Sequence, residues 1–189
     1  VIAAQYHNSA YLFIPLYFVV TGNAWSKKQN FIIGLSVVCL FFLNPILGTM
    51  QSALEGTTYD YAIDAMASNS GSSGIRAVIA AVPVFIAYFG RDNISKENSM
   101  INLSINMSVI NFLLNLLATF TSGLYLVRLA TYTSVYSLIL YPYLLNVTVS
   151  ESSRKILKLG FYVIYFMFYY YQMIHQGALG YASDILGRY

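Results

Sequence analysis

Hydrophobic blocks close to the length of a bilayer crossing occupy most of this sequence. A hydrocarbon core of about 30 Å requires about 20 apolar residues in a helix. Six blocks approach that length, at residues 4–22, 31–50, 75–90, 103–127, 129–147 and 159–176. The pattern predicts an all-α membrane protein, a polytopic bundle of about six transmembrane helices. We expect residues 1–189 to form one polytopic domain, the C-terminal portion of a longer chain, because a hydrophobic block begins almost at the first residue.

The composition agrees with a membrane location. The chain is 58% hydrophobic and 9% charged, with a mean hydropathy of +0.60, whereas soluble domains are about 45–50% apolar and about 25% charged. A net charge of +3 is too small for nucleic-acid binding, which clusters many more Lys and Arg on one face. Cys39 is the one cysteine, so the chain forms no internal disulfide and no cysteine-based metal site.

The basic residues indicate the orientation in the bilayer. Seven of the ten follow the first, third and fifth blocks and therefore share one side: Lys27, Lys28, Arg91, Lys96, Arg154, Lys155 and Lys158. Positive charge concentrates on the cytoplasmic side, so both termini and the loop at residues 51–74 are predicted to lie outside. We expect a short amphipathic helix in this extracytoplasmic loop, capped by Thr57 or Thr58. A Ser/Gly-rich run at residues 69–74 follows, either as a plain linker or as a flexible hinge over the mouth of the bundle.

The fourth block carries a polar stripe. Its members recur every three or four residues and therefore share one helical face: Ser104, Ser108, Asn111, Asn115, Thr119 and Ser122. This face is predicted to avoid lipid, either by joining helices through hydrogen bonds or by lining a polar cavity. In the second case Asn111 and Asn115 are candidate substrate-binding residues. We interpret the Asn-x-Ser/Thr triplets at Asn102, Asn106 and Asn146 as chance, because they lie in or beside hydrophobic blocks.

Four cationic or titratable residues fall on the side opposite to most of the positive charge. Arg76 and Arg128 either anchor helix ends at the headgroups or bind phosphate oxygens, since a guanidinium donates two parallel hydrogen bonds and stays charged. A lipid-linked diphosphate at the outer surface is a plausible ligand. His7 is either an interfacial histidine or a group that donates or exchanges a proton. His175 ends an aromatic helix, which favours an interfacial anchor.

Asp60 and Asp64 lie four residues apart in the outer loop. On one helical face, either carboxylate is a candidate general base for a sugar hydroxyl, although solvated surface carboxylates also occur at this spacing. The sequence contains no Gly-rich phosphate loop, HExxH helix, GxSxG turn or EF-hand loop, which excludes the common soluble enzyme classes that those motifs identify.

Two segments resemble a known family. Ala3-Ala4-Gln5-Tyr6-His7-Asn8-Ser9-Ala10, running into Pro15 and Tyr17, is similar to a segment of the EpsG-like branch of the Wzy polysaccharide polymerases. Residues Arg128-Leu129-Ala130-Thr131-Tyr132, followed by Tyr141-Pro142-Tyr143, are similar to the Arg-containing helix of that family. Ser73-Gly74-Ile75-Arg76 with Pro83 fits more loosely. Thr133 stands where the family has Phe.

The resemblance implies a multi-pass enzyme of the bacterial inner membrane that joins oligosaccharide repeat units carried on undecaprenyl diphosphate, at the outer face, into O-antigen, capsule or exopolysaccharide. It implies Arg76 and Arg128 as diphosphate-binding groups and His7 as a positioning or acid/base group. Since arginines would neutralise the leaving group, we expect no obligatory metal and no cofactor. Besides the lipid-linked oligosaccharide and the bilayer, the implied partners are a chain-length regulator and a flippase.

Two other classes remain open on the sequence alone. A transporter or flippase for a lipid-linked oligosaccharide would also use polar helix faces and arginines, although the sequence has no clear internal repeat. A noncatalytic membrane scaffold would use the same outer residues only as interfacial anchors.

Overall fold

The computed structural model of the chain describes residues 13–54, 72–94, 98–120 and 124–175. Within these residues it is all-helical, with six helices and no strands, which confirms the predicted all-α class. The helices are α1 (Phe13–Val20), α2 (Lys27–Leu54), α3 (Gly74–Phe89), α4 (Ser99–Phe120), α5 (Leu124–Thr148) and α6 (Glu151–His175). The chain divides into two units, residues 1–147 and 148–189, and α6 belongs to the second.

The hydrophobic blocks located the helices but not all of their ends. The helix α3 matches its block to within one residue, whereas α2 continues to Leu54, so the connection after it begins later than residue 51. The predicted boundary between the fourth and fifth helices was wrong, because α4 ends at Phe120 and α5 begins at Leu124. Apolar residues at 124–127 continue the hydrophobic run, so hydropathy conceals the Thr-Ser-Gly triplet at 121–123, the local helix-breaking signal. Arg128 therefore lies in the second turn of α5.

The helix α4 is the centre of the first unit. It contacts α1, α2 and α3, and the Oγ atoms of Ser108 in α4 and Ser137 in α5 lie 3.2 Å apart in a hydrogen bond. Twelve of its residues are buried, distributed around the whole helix. A helix that is buried on all sides is the core helix of its bundle.

The helices α3 and α4 form the most extensive helix pair. The buried face of α3 consists of small residues and one proline: Ala77, Ala80, Ala81, Pro83 and Ala87. Small side chains let two helix backbones approach closely, which is the packing typical of helices in membranes. The backbone N–H of Ser72, just before α3, donates to the carbonyl of Ala118 near the end of α4 at 2.7 Å. The two helices are therefore antiparallel.

A buried apolar cluster joins α3, α4 and α5 at the opposite end. It contains Ala87, Ile94, Ile101, Ile105, Leu140 and Leu144. Because Ser137 lies beside Ser108 while Leu140 and Leu144 lie with Ile101 and Ile105, α5 also runs antiparallel to α4. The start of α3, the end of α4 and the start of α5 therefore lie at the same end of the first unit.

The described helices differ in their ability to cross a bilayer. Only α4, among the described residues, is both long enough and apolar enough to do so, and α3 is apolar but shorter. At 1.5 Å per residue, the 16 residues of α3 span about 24 Å, less than a hydrocarbon core of about 30 Å. In the second unit, α6 has 25 residues, with Glu151 in its first turn and an aromatic run towards His175.

Candidate functional site

Arg76 and Arg128 lie at the same end of the first unit, which we name the arginine end. Arg76 is half-buried in the first turn of α3, and Arg128 is exposed in the second turn of α5. Since α3 starts where α4 ends, and α5 starts four residues after that point, the starts of α3 and α5 are neighbours. The sequence placed both arginines on one side of the chain, and the packing of α3, α4 and α5 agrees with that placement.

The start of α3 fits closely against the end of α4. A Cβ added at Gly74 would lie 3.8 Å from Cγ2 of Thr119, so Gly74 and Thr119 face each other with room for one methyl group between them. The hydrogen bond from Ser72 to Ala118 ties the start of α3, two residues before Gly74, to the end of α4. The arginine therefore projects from a positioned helix start, close to the end of the core helix.

The polar stripe of α4 points into the protein, as predicted. Ser104 and Ser108 are fully buried, and Asn111 and Asn115 are 5% and 7% exposed. Nδ2 of Asn115 donates to the carbonyl oxygen of Asn111 at 2.8 Å and to Oδ1 of Asn111 at 3.1 Å. Oγ1 of Thr119 donates to the carbonyl of Asn115 at 2.9 Å. The stripe thus leads as a hydrogen-bonded chain from the middle of α4 towards the arginine end.

The stripe also joins two helices, because Ser108 bonds to Ser137. Oγ of Ser104 is buried without a hydrogen-bond partner. The described cavities do not include Asn111 or Asn115 in their walls, so a substrate-binding role for these two residues stays a prediction. Thr133, which replaces the family's Phe, is 1% exposed, and its Oγ1 donates to the carbonyl of Ala130 at 2.9 Å.

An apolar groove of about 470 Å³ runs between α3 and α4. Its walls are Ala77, Val78, Ala81, Val82, Phe85, Ile86, Phe112 and Leu116. On α3 the wall of the groove runs from Ala77 to Ile86, nine steps of 1.5 Å or about 14 Å along the helix. An apolar groove therefore lies along the helix whose first turn carries Arg76.

Asn102 and Asn106, which sequence analysis set aside as chance triplets, hold the connection between α1 and α2. Nδ2 of Asn106 donates to the carbonyls of Val20 at 2.7 Å and Gly22 at 3.1 Å. The N–H of Ala24 donates to Oδ1 of Asn102 at 2.9 Å. Both asparagines are buried. Their spacing of four residues on an apolar helix was the available signal, since buried amides need partners.

The other predicted residues have less to report. His7, Asp60, Asp64, Thr57, Thr58 and Ser122, the last member of the predicted polar stripe, lie outside the described residues, and so does the predicted loop helix. His175 is the last residue of α6, in the second unit. Within the described part of the chain, no cluster of three or more His, Cys, Asp or Glu forms a possible metal site. The catalytic roles of His7, Asp60 and Asp64 stay predictions, and so does a mechanism without a metal.

The first unit is an antiparallel helical bundle with a buried polar stripe on its core helix, two arginines at one end and large apolar side chains on its surface, features of a membrane-associated helical protein. The chain matches the profile of the EpsG family over residues 1–183 and belongs to that family. The family is membrane-associated and serves polysaccharide biosynthesis. No curated protein and no solved structure shows a significant match to the chain.

Proposed function

We propose that the chain is a multi-pass protein of the bacterial inner membrane. Membership of the EpsG family supports this, and so do the many large apolar side chains on the surfaces of the described helices. Phe41 is 79% exposed, Phe89 80%, Ile156 74% and Tyr162 74%. Large apolar surfaces exposed to water are uncommon in soluble proteins, whereas lipid covers them at no cost.

In this topology the arginine end faces outward. Lys27, Lys28 and Arg91 lie at the other end of the first unit, where the ring of Trp25 meets that of Tyr88 at 5.2 Å. By the positive-inside rule this lysine-bearing end is cytoplasmic. Arg76 and Arg128 then lie at the extracytoplasmic surface, where repeat units on their lipid carrier are joined.

The reaction we propose is the polymerisation of oligosaccharide repeat units linked to undecaprenyl diphosphate. The anomeric carbon of the growing chain forms a bond to a hydroxyl oxygen of the incoming unit, and its bond to the diphosphate oxygen breaks. The hydroxyl proton passes to a general base, for which His7, Asp60 and Asp64 are the candidates. The departing diphosphate gains negative charge, and two guanidinium groups that bind its oxygens stabilise that charge.

The observation that carries this proposal is the pairing of Arg76 and Arg128 at one end of a bundle whose family makes polysaccharides. The groove between α3 and α4 supports the same function, because it offers the isoprenoid chain an apolar surface along the helix that carries Arg76. Asn111 and Asn115 would bind the sugar or the diphosphate only if the end of α4 opens towards them.

The test is the lipid-linked sugar pool in cells that carry Arg76→Ala or Arg128→Ala in the full-length protein. Loss of a hydrogen-bonded charge contact removes about 1.5–3 kcal/mol, so each variant should slow polymerisation about 10- to 100-fold, with single repeat units accumulating outside. Arg128→Lys keeps the charge but loses the bidentate geometry and should be intermediate. Lys27→Ala is the matched control, since it removes one cation from the exposed start of α2, at the opposite end.

The other outcomes identify the competing classes. Single units trapped on the inside in the arginine variants would indicate a flippase instead of a polymerase. Polymer of normal length and rate in the double variant Arg76→Ala/Arg128→Ala would show that both arginines are interfacial anchors, as in a scaffold.

A further inference from the structure

The helix α6 of the second unit separates polar from apolar side chains along its length. Polar residues recur every three or four positions and therefore share one face: Glu151, Lys155, Lys158, Tyr162, Tyr165, Tyr169 and Gln172. At 3.6 residues per turn they fall within a sector of about 100°, which also includes Arg154. We name this sector the tyrosine stripe. All the Lys, Arg, Asp and Glu residues of α6 belong to it.

The opposite side of α6 is apolar from Ile156 onward, and it is exposed. Its large aliphatic and sulfur-containing side chains are between 47% and 74% exposed: Ile156, Leu159, Val163, Ile164, Met167 and Ile174. An apolar depression of about 290 Å³ also lies on this helix, and its walls are Phe166, Met167, Tyr170, Tyr171 and Ile174. An exposed apolar surface of this extent is typical of a site that contacts a membrane or another protein.

The tyrosine stripe distinguishes between the two ways in which α6 can meet a bilayer. From Lys158 to Gln172 the stripe extends over about 21 Å of helix at 1.5 Å per residue. In a helix that spans the bilayer, the stripe would cross most of a hydrocarbon core of about 30 Å, with a polar side chain at every turn. Tyrosine rings prefer the headgroup level, where the hydroxyl finds partners and the ring stays in apolar surroundings. A spanning helix brings only its two ends to that level.

A helix that lies in the plane of the membrane surface brings the whole stripe to the headgroup level at once. Tyr162 and Tyr169 are 74% and 59% exposed, so both rings are available there. A strong separation of faces combined with low net hydrophobicity is typical of helices that lie on a membrane. With 25 residues α6 is long enough to cross a bilayer, but it is not apolar enough to do so.

The charges of α6 indicate the kind of lipid and the side of the membrane. The first turns carry Arg154, Lys155 and Lys158 against one acidic residue, Glu151, a balance that favours anionic headgroups. The helix begins directly after α5, which ends at Thr148. Since the end of α5 lies at the lysine-bearing end of the first unit, α6 starts at the cytoplasmic surface in the orientation given above.

We propose that α6 is an interfacial helix that binds the cytoplasmic surface of the membrane. Its apolar side inserts among the acyl chains, and its tyrosine stripe lies among anionic headgroups. The sixth hydrophobic block, at residues 159–176, then forms no transmembrane crossing, and His175 stays on the cytoplasmic side. The proposal rests on the membrane orientation of the proposed function but not on the polymerase reaction.

Two pairs of exposed residues, each matched in position along the helix axis, test this orientation. Tyr169 and Met167 are about 3 Å apart along the axis but lie on opposite sides of α6, and so do Tyr162 and Ile164. Each is replaced singly by cysteine in the protein whose native cysteines, Cys39 among them, are changed to serine. The rate of labelling by a membrane-impermeant maleimide is then measured in inside-out and right-side-out vesicles.

We expect a contrast within each pair and similar rates between the pairs. Tyr169→Cys and Tyr162→Cys should be labelled on the order of tenfold faster than Met167→Cys and Ile164→Cys, because the apolar side lies below the headgroups. Labelling should occur only in inside-out vesicles, and Gln172→Cys should react in them as well. A spanning helix gives the opposite pattern, since the two members of a pair then lie at the same depth, and Gln172→Cys reacts from outside.

The lipid preference is tested in phosphatidylcholine vesicles with increasing fractions of phosphatidylglycerol. The anionic lipid should slow the labelling of Met167→Cys, and Lys155→Gln/Lys158→Gln should remove most of that effect, about fivefold for each lysine. Lys27→Gln removes a cation from the exposed start of α2 and is the matched control, which should leave the effect unchanged. An equal effect of phosphatidylglycerol with and without the two lysines would reject the preference for anionic headgroups.

Other outcomes would overturn the proposal itself. Equal rates within each pair would mean that α6 spans the bilayer. Disulfide formation between the Met167→Cys side chains of two molecules would mean that a second copy covers the apolar side instead of lipid. A contrast seen only in right-side-out vesicles would reject the membrane orientation. Normal polymer in Arg76→Ala/Arg128→Ala, with the contrast within each pair intact, would reject only the polymerase.

Discussion

The replacement Asn106→Ala tests whether the core helix holds the connection between α1 and α2. Asn106 is 4% exposed, and its Nδ2 donates to carbonyls 86 and 84 residues away in the sequence. The variant leaves the carbonyl of Val20 without this donor, at a residue that is 2% exposed. The carbonyl of Gly22 belongs to an exposed residue, where water replaces the amide.

The size of the effect follows from these two carbonyls. A buried acceptor left without its partner costs about 1–3 kcal/mol. The variant also removes Oδ1 of Asn106, which is itself buried without a hydrogen-bond partner. Removal of this unsatisfied oxygen offsets part of the lost free energy. Hydrogen bonds between helices in a membrane average about 0.6 kcal/mol, which lowers the estimate further. We therefore expect Asn106→Ala to reduce the free energy of unfolding by about 1–2 kcal/mol.

The same helix supplies a matched control. Asn115 is also buried, at 7% exposed, but its Nδ2 donates only to Asn111, one turn earlier in its own helix. Asn115→Ala should therefore cost less than about 1 kcal/mol, because the contact joins no separate parts of the chain. Unfolding of the detergent-solubilised chain, followed by circular dichroism against denaturant, measures both. Equal losses for the two variants, or a larger loss for Asn115→Ala, would refute the role given to Asn106.

Two further predictions concern the helix ends and the groove. Nζ of Lys28 donates to the carbonyls of Phe18, at 2.7 Å, and of Thr21, and so caps the end of α1. Lys28→Met should therefore lower Tm by about 2–4 °C relative to Lys27→Met, the shift expected for about 1 kcal/mol in a chain of this size. Equal Tm values for the two variants would contradict this capping role. Val78 lines the groove and is 67% exposed, so Val78→Phe narrows the groove without entering the buried face of α3. It should lower the polymerisation rate severalfold with long isoprenoid carriers but not with short ones, whereas Val78→Thr should change neither; equal losses with both carriers would point to a folding defect.

Much of the fold could be predicted because local sequence signals, namely hydrophobic blocks and the breaks between them, mark the helices. The block at residues 75–90 became α3, since a Ser/Gly run precedes it and Gly90 follows it, and both are strong breaks. The junction of α4 and α5 was missed because hydropathy averages over a window, and apolar residues resume directly after the break. The first turns of α6 are polar, from Glu151 to Lys155, so the hydrophobic block began later than the helix.

The candidate site was predictable in its placement and not in its contacts. The alternating direction of successive helices predicted that Arg76 and Arg128 lie at one end. The helical period of 3.6 residues predicted that Asn111 and Asn115 share one buried face of α4. Neither argument shows what a buried amide bonds to. Asn102 and Asn106 lie on the same helix as Asn111 and Asn115, yet they bond to the α1–α2 connection, whereas Asn115 bonds to its own helix.

The sequence by itself determined the helical class, the approximate position of the described helices and the placement of Arg76 and Arg128 at the end of the first unit opposite to Lys27, Lys28 and Arg91, because hydropathy, helical period and charge act over a few turns. Only the tertiary structure decided that Trp25, Tyr88 and Arg91 meet, and that Asn106 holds carbonyls from more than 80 residues away. Such contacts depend on how the helices pack, which is set by the shapes of side chains that are distant in the chain. No local sequence pattern predicts which residues these contacts join.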